Sequence, residues 1–130
     1  MDGDRRQPPV VLVVGDDPGA VEIIARLVVR HGLRAVKAGE ISPALETTST
    51  SLPRCIVVDL PTAGLGRALQ LVDLDRGHDD PRVSSCRVLV IEASGNRELL
   101  LASGADAHLE RPVHARDLVA AVAALLAPVR

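Results

Sequence analysis

Five charged side chains stand where short apolar runs give out. Asp16 and Asp17 follow Val10 to Val14, Asp59 ends Cys55-Ile-Val-Val, and Glu92 follows Arg87 to Ile91. Arg111 follows the brief run Ala107 to Leu109 and precedes Pro112. Carboxylates gathered around one guanidinium have a limited chemistry. They can hold a hard cation through oxygen, let one acid accept a transferred group, or pair with the arginine. Other chemistries lack their residues. There is no G-x-G-x-x-G or G-x-x-x-x-G-K phosphate cradle. No nucleophile and base come with a third orienting residue. Cys55 and Cys86 have neither metal-ligand spacing nor the density of a disulfide scaffold. The chain is read as a non-enzyme.

The elements must bring these residues together. Cys55 to Leu60 is four apolar residues running into a single acid, Asp59, with Pro61, Gly64 and Gly66 following at once, the pattern of a strand buried on both faces. Val10 to Val14 repeats it, and Asp17-Pro18 then supplies a cap and a first-turn proline for a helix stopping at Gly32. Arg34 to Ala38 reads as a weaker edge strand, and Ser42-Pro43 opens a short helix. A helix is expected over about 66–75, a polar loop over 76–85, and a strand over 87–91. Residues 96–103 form a fourth helix, 107–109 a fifth strand, and the last helix runs to Ala127. Alternating strands and helices imply a doubly wound parallel sheet. Ligands of such sheets gather beyond the carboxyl ends of the strands, where all five charged residues fall.

Composition narrows the class. At 130 residues the chain makes one domain with a real core: a loose leader over 1–9 and a folded unit over 10–127. The leader and the end after the last helix are read as those of a complete single domain. It has no Phe, Tyr or Trp, so bases have nothing to stack on. The net charge of −2, with no basic block beyond Arg5-Arg6, argues against direct nucleic-acid binding. No apolar run is long enough to span a membrane, and the N-terminus is not a signal peptide. The expected compartment is the cytosol. Of the 15 basic residues, Lys37 is the only lysine.

From about Val10 to Leu126 the sequence resembles the receiver domain of two-component response regulators, the CheY-like superfamily. Four landmarks carry the resemblance: Val-Val-Gly-Asp-Asp-Pro18, the lone Asp59, Val-Leu-Val-Ile-Glu-Ala93, and Gly104-Ala-Asp106 followed by Glu-Arg-Pro112. Their order and spacing are specific, although each alone is weak. The resemblance implies a (βα)5 flavodoxin-like sheet of order 2-1-3-4-5. It makes Asp59 the phosphoacceptor. It makes Asp16, Asp59 and the Pro61 carbonyl ligands of Mg²⁺, and it implies a cis bond before Pro112. Glu92 stands at the family's Thr or Ser, Arg111 at its lysine, His108 at its aromatic switch, and Gly15 at the first of its two acids. It also implies a histidine kinase as partner and signalling through the helix-four, strand-five, helix-five face.

The departures set further expectations. An ionised Glu92 cannot donate to a phosphoryl oxygen as a hydroxyl does. Two like charges about 4 Å apart repel by roughly 4 kcal/mol at an effective dielectric near 20. Arg111 keeps the charge of a lysine but not its shape; it can pair with Glu92 or Asp59, and the pair with Glu92 is the one expected. Gly15 removes a carboxylate, which weakens Mg²⁺. The loop after Asp59 is one residue short. The leading expectation is therefore an atypical receiver that signals by binding a protein, with phosphorylation at Asp59 weak or absent. The alternatives are a working Mg²⁺-dependent phosphoacceptor and a small-molecule binder on the same fold. Asp17 is read as a helix cap and His108 as a partly exposed histidine. Cys55 and Cys86 are read as buried thiols close in space. Leu99-Leu100-Leu101 buries one face, and its apolar excess is read first as a fully packed helix and second as a partner or homodimer surface.

Overall fold

A computed structural model describes residues 7–40, 46, 50–93 and 95–127. The elements are β1 (Val10–Gly15), α1 (Pro18–Arg30), β2 (Arg34–Ala38), β3 (Cys55–Asp59) and α2 (Leu65–Arg76). They continue as α3 (Pro81–Ser84), β4 (Arg87–Glu92), α4 (Arg97–Ala102), β5 (Ala107–Glu110) and α5 (Ala115–Leu126). The expected helix at Ser42-Pro43 lies outside the described residues. The five strands form one parallel sheet in the order β2-β1-β3-β4-β5, as expected.

Both faces of the sheet are covered, which is why the interior positions of its central strands are apolar. Leu12, Val14, Ile56, Val58, Val88 and Val90 pack with Leu71 and Val72 of α2 and Leu100 of α4. The alternate residues Val11, Val13, Val57, Leu89 and Ile91 pack with Val21, Ile24 and Val28 of α1 and Leu118 and Val122 of α5. The strand period of two thus assigns each apolar side chain to a layer. With no aromatic residue, β-branched and leucine side chains fill both layers.

One sequence expectation fails here. Residues 76–85 are not all loop, because Pro81–Ser84 makes a helical turn. Asp80 caps it by accepting from the Arg82 backbone N–H at 2.9 Å, with Pro81 at the first position. This is the same cap-and-proline signal that starts α1 at Asp17-Pro18, but too few residues follow to make the apolar pattern of a longer helix visible. The two cysteines are buried as expected, but Cys55 belongs to the α1/α5 layer and Cys86 to the opposite one. Burial pushes the Cys55 thiol up to about 12 and raises that of Cys86 as well, so neither is a ready thiolate.

Candidate functional site at the carboxyl end of the sheet

Parallel register fixes what meets at the sheet end. Gly15 pairs with Asp59, Asp59 with Ile91, and Glu92 with Glu110. Asp59 and Glu92 therefore end neighbouring strands, each only 7% exposed. Arg111 leaves the end of β5 and reaches across. Its Nη2 donates to Asp59 Oδ1 at 2.6 Å and to the Ile91 carbonyl at 3.2 Å. Its Nη1 stands 3.5 Å from Glu92 Oε1. Glu92 Oε1 also accepts from the Ala93 backbone N–H at 2.8 Å. The Arg111–Pro112 peptide bond is cis, as the resemblance implied.

The expected pairing of Arg111 with Glu92 becomes a bridge between Glu92 and Asp59. One guanidinium is shared by two buried carboxylates, and the contact to Asp59 is the shorter and charge-assisted one. The fork of arginine makes this possible; a lysine would offer a single point charge. Lys37 does not replace the missing lysine here, because its Nζ donates to Glu22 at 2.7 Å on the α1–β2 surface.

Asp16 is placed differently from the expectation of a metal ligand beside Asp59. Its carboxylate turns to the loop after β3, accepting from the backbone N–H groups of Thr62 at 3.2 Å and Ala63 at 2.6 Å. The physical reason is the short Leu60–Gly64 turn, closed by Gly64 N–H on the Leu60 carbonyl at 2.7 Å. That turn aims two amides at the nearest acid. Asp16 opens on a cleft with Gly39, Glu40 and Arg67, whereas Asp59 and Pro61 line another with Arg111 and Asp17. Asp17 is the α1 cap, its Oδ1 accepting from Gly19 N–H at 3.0 Å.

A Mg²⁺ ion asks for near-octahedral oxygen donors. Here one carboxylate is held by Arg111 and the other by two amides. Among the described residues no three His, Cys, Asp or Glu side chains converge as a metal site. The donor set as arranged does not fit a tightly held Mg²⁺. Gly15 adds a steric reason. A Cβ there would lie 2.5 Å from Val21 Cγ2 and 2.8 Å from the Asp59 carbonyl oxygen. Backbone and a stiff β-branched side chain cannot both withdraw cheaply. Gly15→Ala is therefore expected to destabilise the fold by about 1–3 kcal/mol. Urea melts check it; a variant as stable as the parent would show that β1 has slack at this point.

His108 departs from the partly exposed histidine expected. It is 3% exposed, its Nε2 within 3.3 Å of the Glu92 carbonyl. Its register partner Val90 belongs to the α2/α4 layer, so the strand period turns the ring under α4. Arg97 of α4 donates to the His108 carbonyl at 3.1 Å. Sequence reading missed that tie and a larger one at the other end of the sheet. Arg76 donates to the carbonyls of Gly104 and Ser84 at 2.9 Å and of Cys86 at 2.6 Å, and to Asp106 at 2.5 Å. Asp106 in turn accepts from Val88 N–H at 2.7 Å. Gly104-Ala-Asp106 was the visible signal, but its arginine partner comes from a residue 30 positions away.

No family model and no curated protein sequence matches the chain. Solved structures do. A protein of Chloroflexus aurantiacus described as a response regulator superposes with a TM-score of 0.83 at 24% identity, covering 94% of this chain and 100% of its own. The Francisella response regulator 1452 receiver domain gives 0.76 at 25%, covering 90% and 95%. The receiver domain of sensor histidine kinase PA1611 from Pseudomonas aeruginosa gives 0.75 at 19%, covering 91% and 97%. This chain has the receiver-domain fold. On a receiver fold Asp59 ends the central strand and Arg111-Pro112 follows the fifth. Asp59, Glu92 and Arg111-Pro112 therefore occupy one end of one sheet, and Gly104-Ala-Asp106 lies at the other.

Proposed function

We propose that this chain is a receiver-type signalling domain that takes up phosphate at Asp59 weakly or not at all and signals by binding a protein. One observation carries the reading: Arg111 already holds Asp59, with Nη2 2.6 Å from Oδ1. A phosphoryl group entering there must displace a charge-assisted contact between buried partners. It must then sit beside Glu92, which repels it and cannot donate to it. Mg²⁺ binding is correspondingly weak. The output surface is the α4–β5–α5 face, where Leu99 is 50% and Leu101 37% exposed. A protein partner or a second copy of the chain fits such a patch better than water does.

A second reading is a slow but genuine Mg²⁺-dependent phosphoacceptor served by a histidine kinase. Asp59 keeps its position at the end of β3, and the Pseudomonas receiver domain is described with a magnesium ion in its active site cleft.

Incubation with acetyl phosphate and Mg²⁺, followed by intact mass, separates the two. The parent is expected to gain no phosphoryl group over a time in which Glu92→Thr/Arg111→Lys gains one, and Asp59→Asn abolishes any gain. Stoichiometric uptake by the parent that disappears in Asp59→Asn would restore the conventional relay.

A further inference from the structure

We propose that the cleft at the amino ends of β3 and β4, opposite the Asp59 site, binds a phosphate-bearing small molecule with an apolar body. Its cationic wall is made by neighbouring strand starts. The Arg87 backbone N–H donates to the Arg54 carbonyl at 3.1 Å, which forces the two residues together. Among the described residues Arg54 has no carboxylate partner, and Arg87 shares the Asp106 carboxylate with Arg76. Arg54 has one side-chain contact, Nη2 to the Leu126 carbonyl at 3.4 Å. Arg87 reaches Asp106 at 3.4 Å, but Asp106 is already neutralised by Arg76 at 2.5 Å. Each guanidinium carries five N–H donors, so most remain unused.

Both arginines line one cleft, where a dianion would find donors from each. Arginine's planar fork also matches phosphate oxygens two at a time. Arg82, paired with Asp80, and Ser85 complete the polar wall. Leu52 and Leu125 make the apolar one, in a cleft of about 370 Å³, within the usual range for small-ligand sites. Leu52 holds φ +50°, the only described non-glycine residue at positive φ. A leucine in that region is strained, and strain of this kind gathers at ligand clamps.

The geometry favours an organic phosphate over a bare anion because charged and apolar residues line the same cleft. It favours a small ligand over an extended one because Arg54, Arg82 and Arg87 line a single cleft.

The test is amide NMR of the full chain titrated with pyrophosphate, inorganic phosphate and AMP. Saturable shifts at Ser85 to Val88 and around Arg54 are expected, with AMP binding more tightly than inorganic phosphate. Arg54→Gln should weaken AMP about tenfold, the loss of one charged hydrogen-bonding partner. That exposed substitution leaves the Arg76 network intact; Arg87→Gln, checked for folding by circular dichroism, should act likewise. No saturable shift overturns the proposal, as does binding indifferent to both substitutions. AMP no tighter than inorganic phosphate would remove the apolar half of the site. Preferential binding of hexaglutamate would make the cleft a protein-docking surface instead.

Discussion

Asp75→Asn is expected to flatten the pH dependence of stability between about pH 4 and pH 7, gaining about 3 kcal/mol on the parent across that window. Asp75 sits at the end of α2 with 0% exposure, and neither carboxylate oxygen has a hydrogen-bond partner among the described residues. Burial pushes its carboxyl up to about 6, against the opposing pull of Arg76 and His78, while Asp106 adds to the rise. Arg76 Nη1 is 3.7 Å away, an ion pair but not a hydrogen bond. The folded value lies above the unfolded one, so the contribution is fully present below about 3.8 and is lost as pH rises through about 6. At pH 8 the parent carries a buried carboxylate that the variant lacks.

Thermal or urea melts at pH 4 and pH 8 measure the effect, which is on the order of 10 °C for a domain of this size. Parallel pH profiles for parent and variant would mean that Asp75 is better solvated or better paired than its geometry indicates. The physiological consequence is modest but directional: the protein is most stable on the acid side of neutrality with respect to this group.

Removing Arg111 is the second large perturbation. Arg111→Ala leaves Asp59 and Glu92, each 7% exposed, facing one another without their shared cation. Breaking a buried pair by deleting one member typically costs about 3–5 kcal/mol. The Arg111 side chain keeps 30% of its exposure, so water screens part of the loss and about 2–3 kcal/mol is expected. The cost depends on the two acid partners. In the Asp59→Asn/Glu92→Gln background the arginine has little left to neutralise, and its deletion should cost under about 1 kcal/mol. A double-mutant cycle in urea is the measurement. Additive costs would show that Arg111 acts through packing of its stem, not through the two carboxylates. The same cycle bears on function, because the energy that couples Arg111 to Asp59 is the energy that a phosphoryl group must displace.

Much of this protein was determined by its sequence alone. The apolar runs Val10–Val14 and Cys55–Val58 carry their own explanation, since strands covered on both faces need no polar position. Cap-and-proline pairs placed the start of α1 at Asp17-Pro18. Alternation of elements fixed a parallel sheet and hence the end at which Asp59, Glu92 and Arg111 gather. The residue types alone signalled that Arg111 would pair with an acid.

What only the tertiary structure decided was orientation. A carboxylate at a strand end can turn to a metal, a guanidinium or an amide, and the nearest donor wins. The tight Leu60–Gly64 turn gave Asp16 two amides, and Arg111 took Asp59. Strand parity buried His108 and put Cys55 and Cys86 on opposite faces. The Arg76–Asp106 clamp joins residues 30 positions apart, and the Arg54–Arg87 juxtaposition exists only because β3 and β4 lie side by side. Such contacts depend on through-space distances of a few ångströms, which local propensity and periodicity along the chain do not encode.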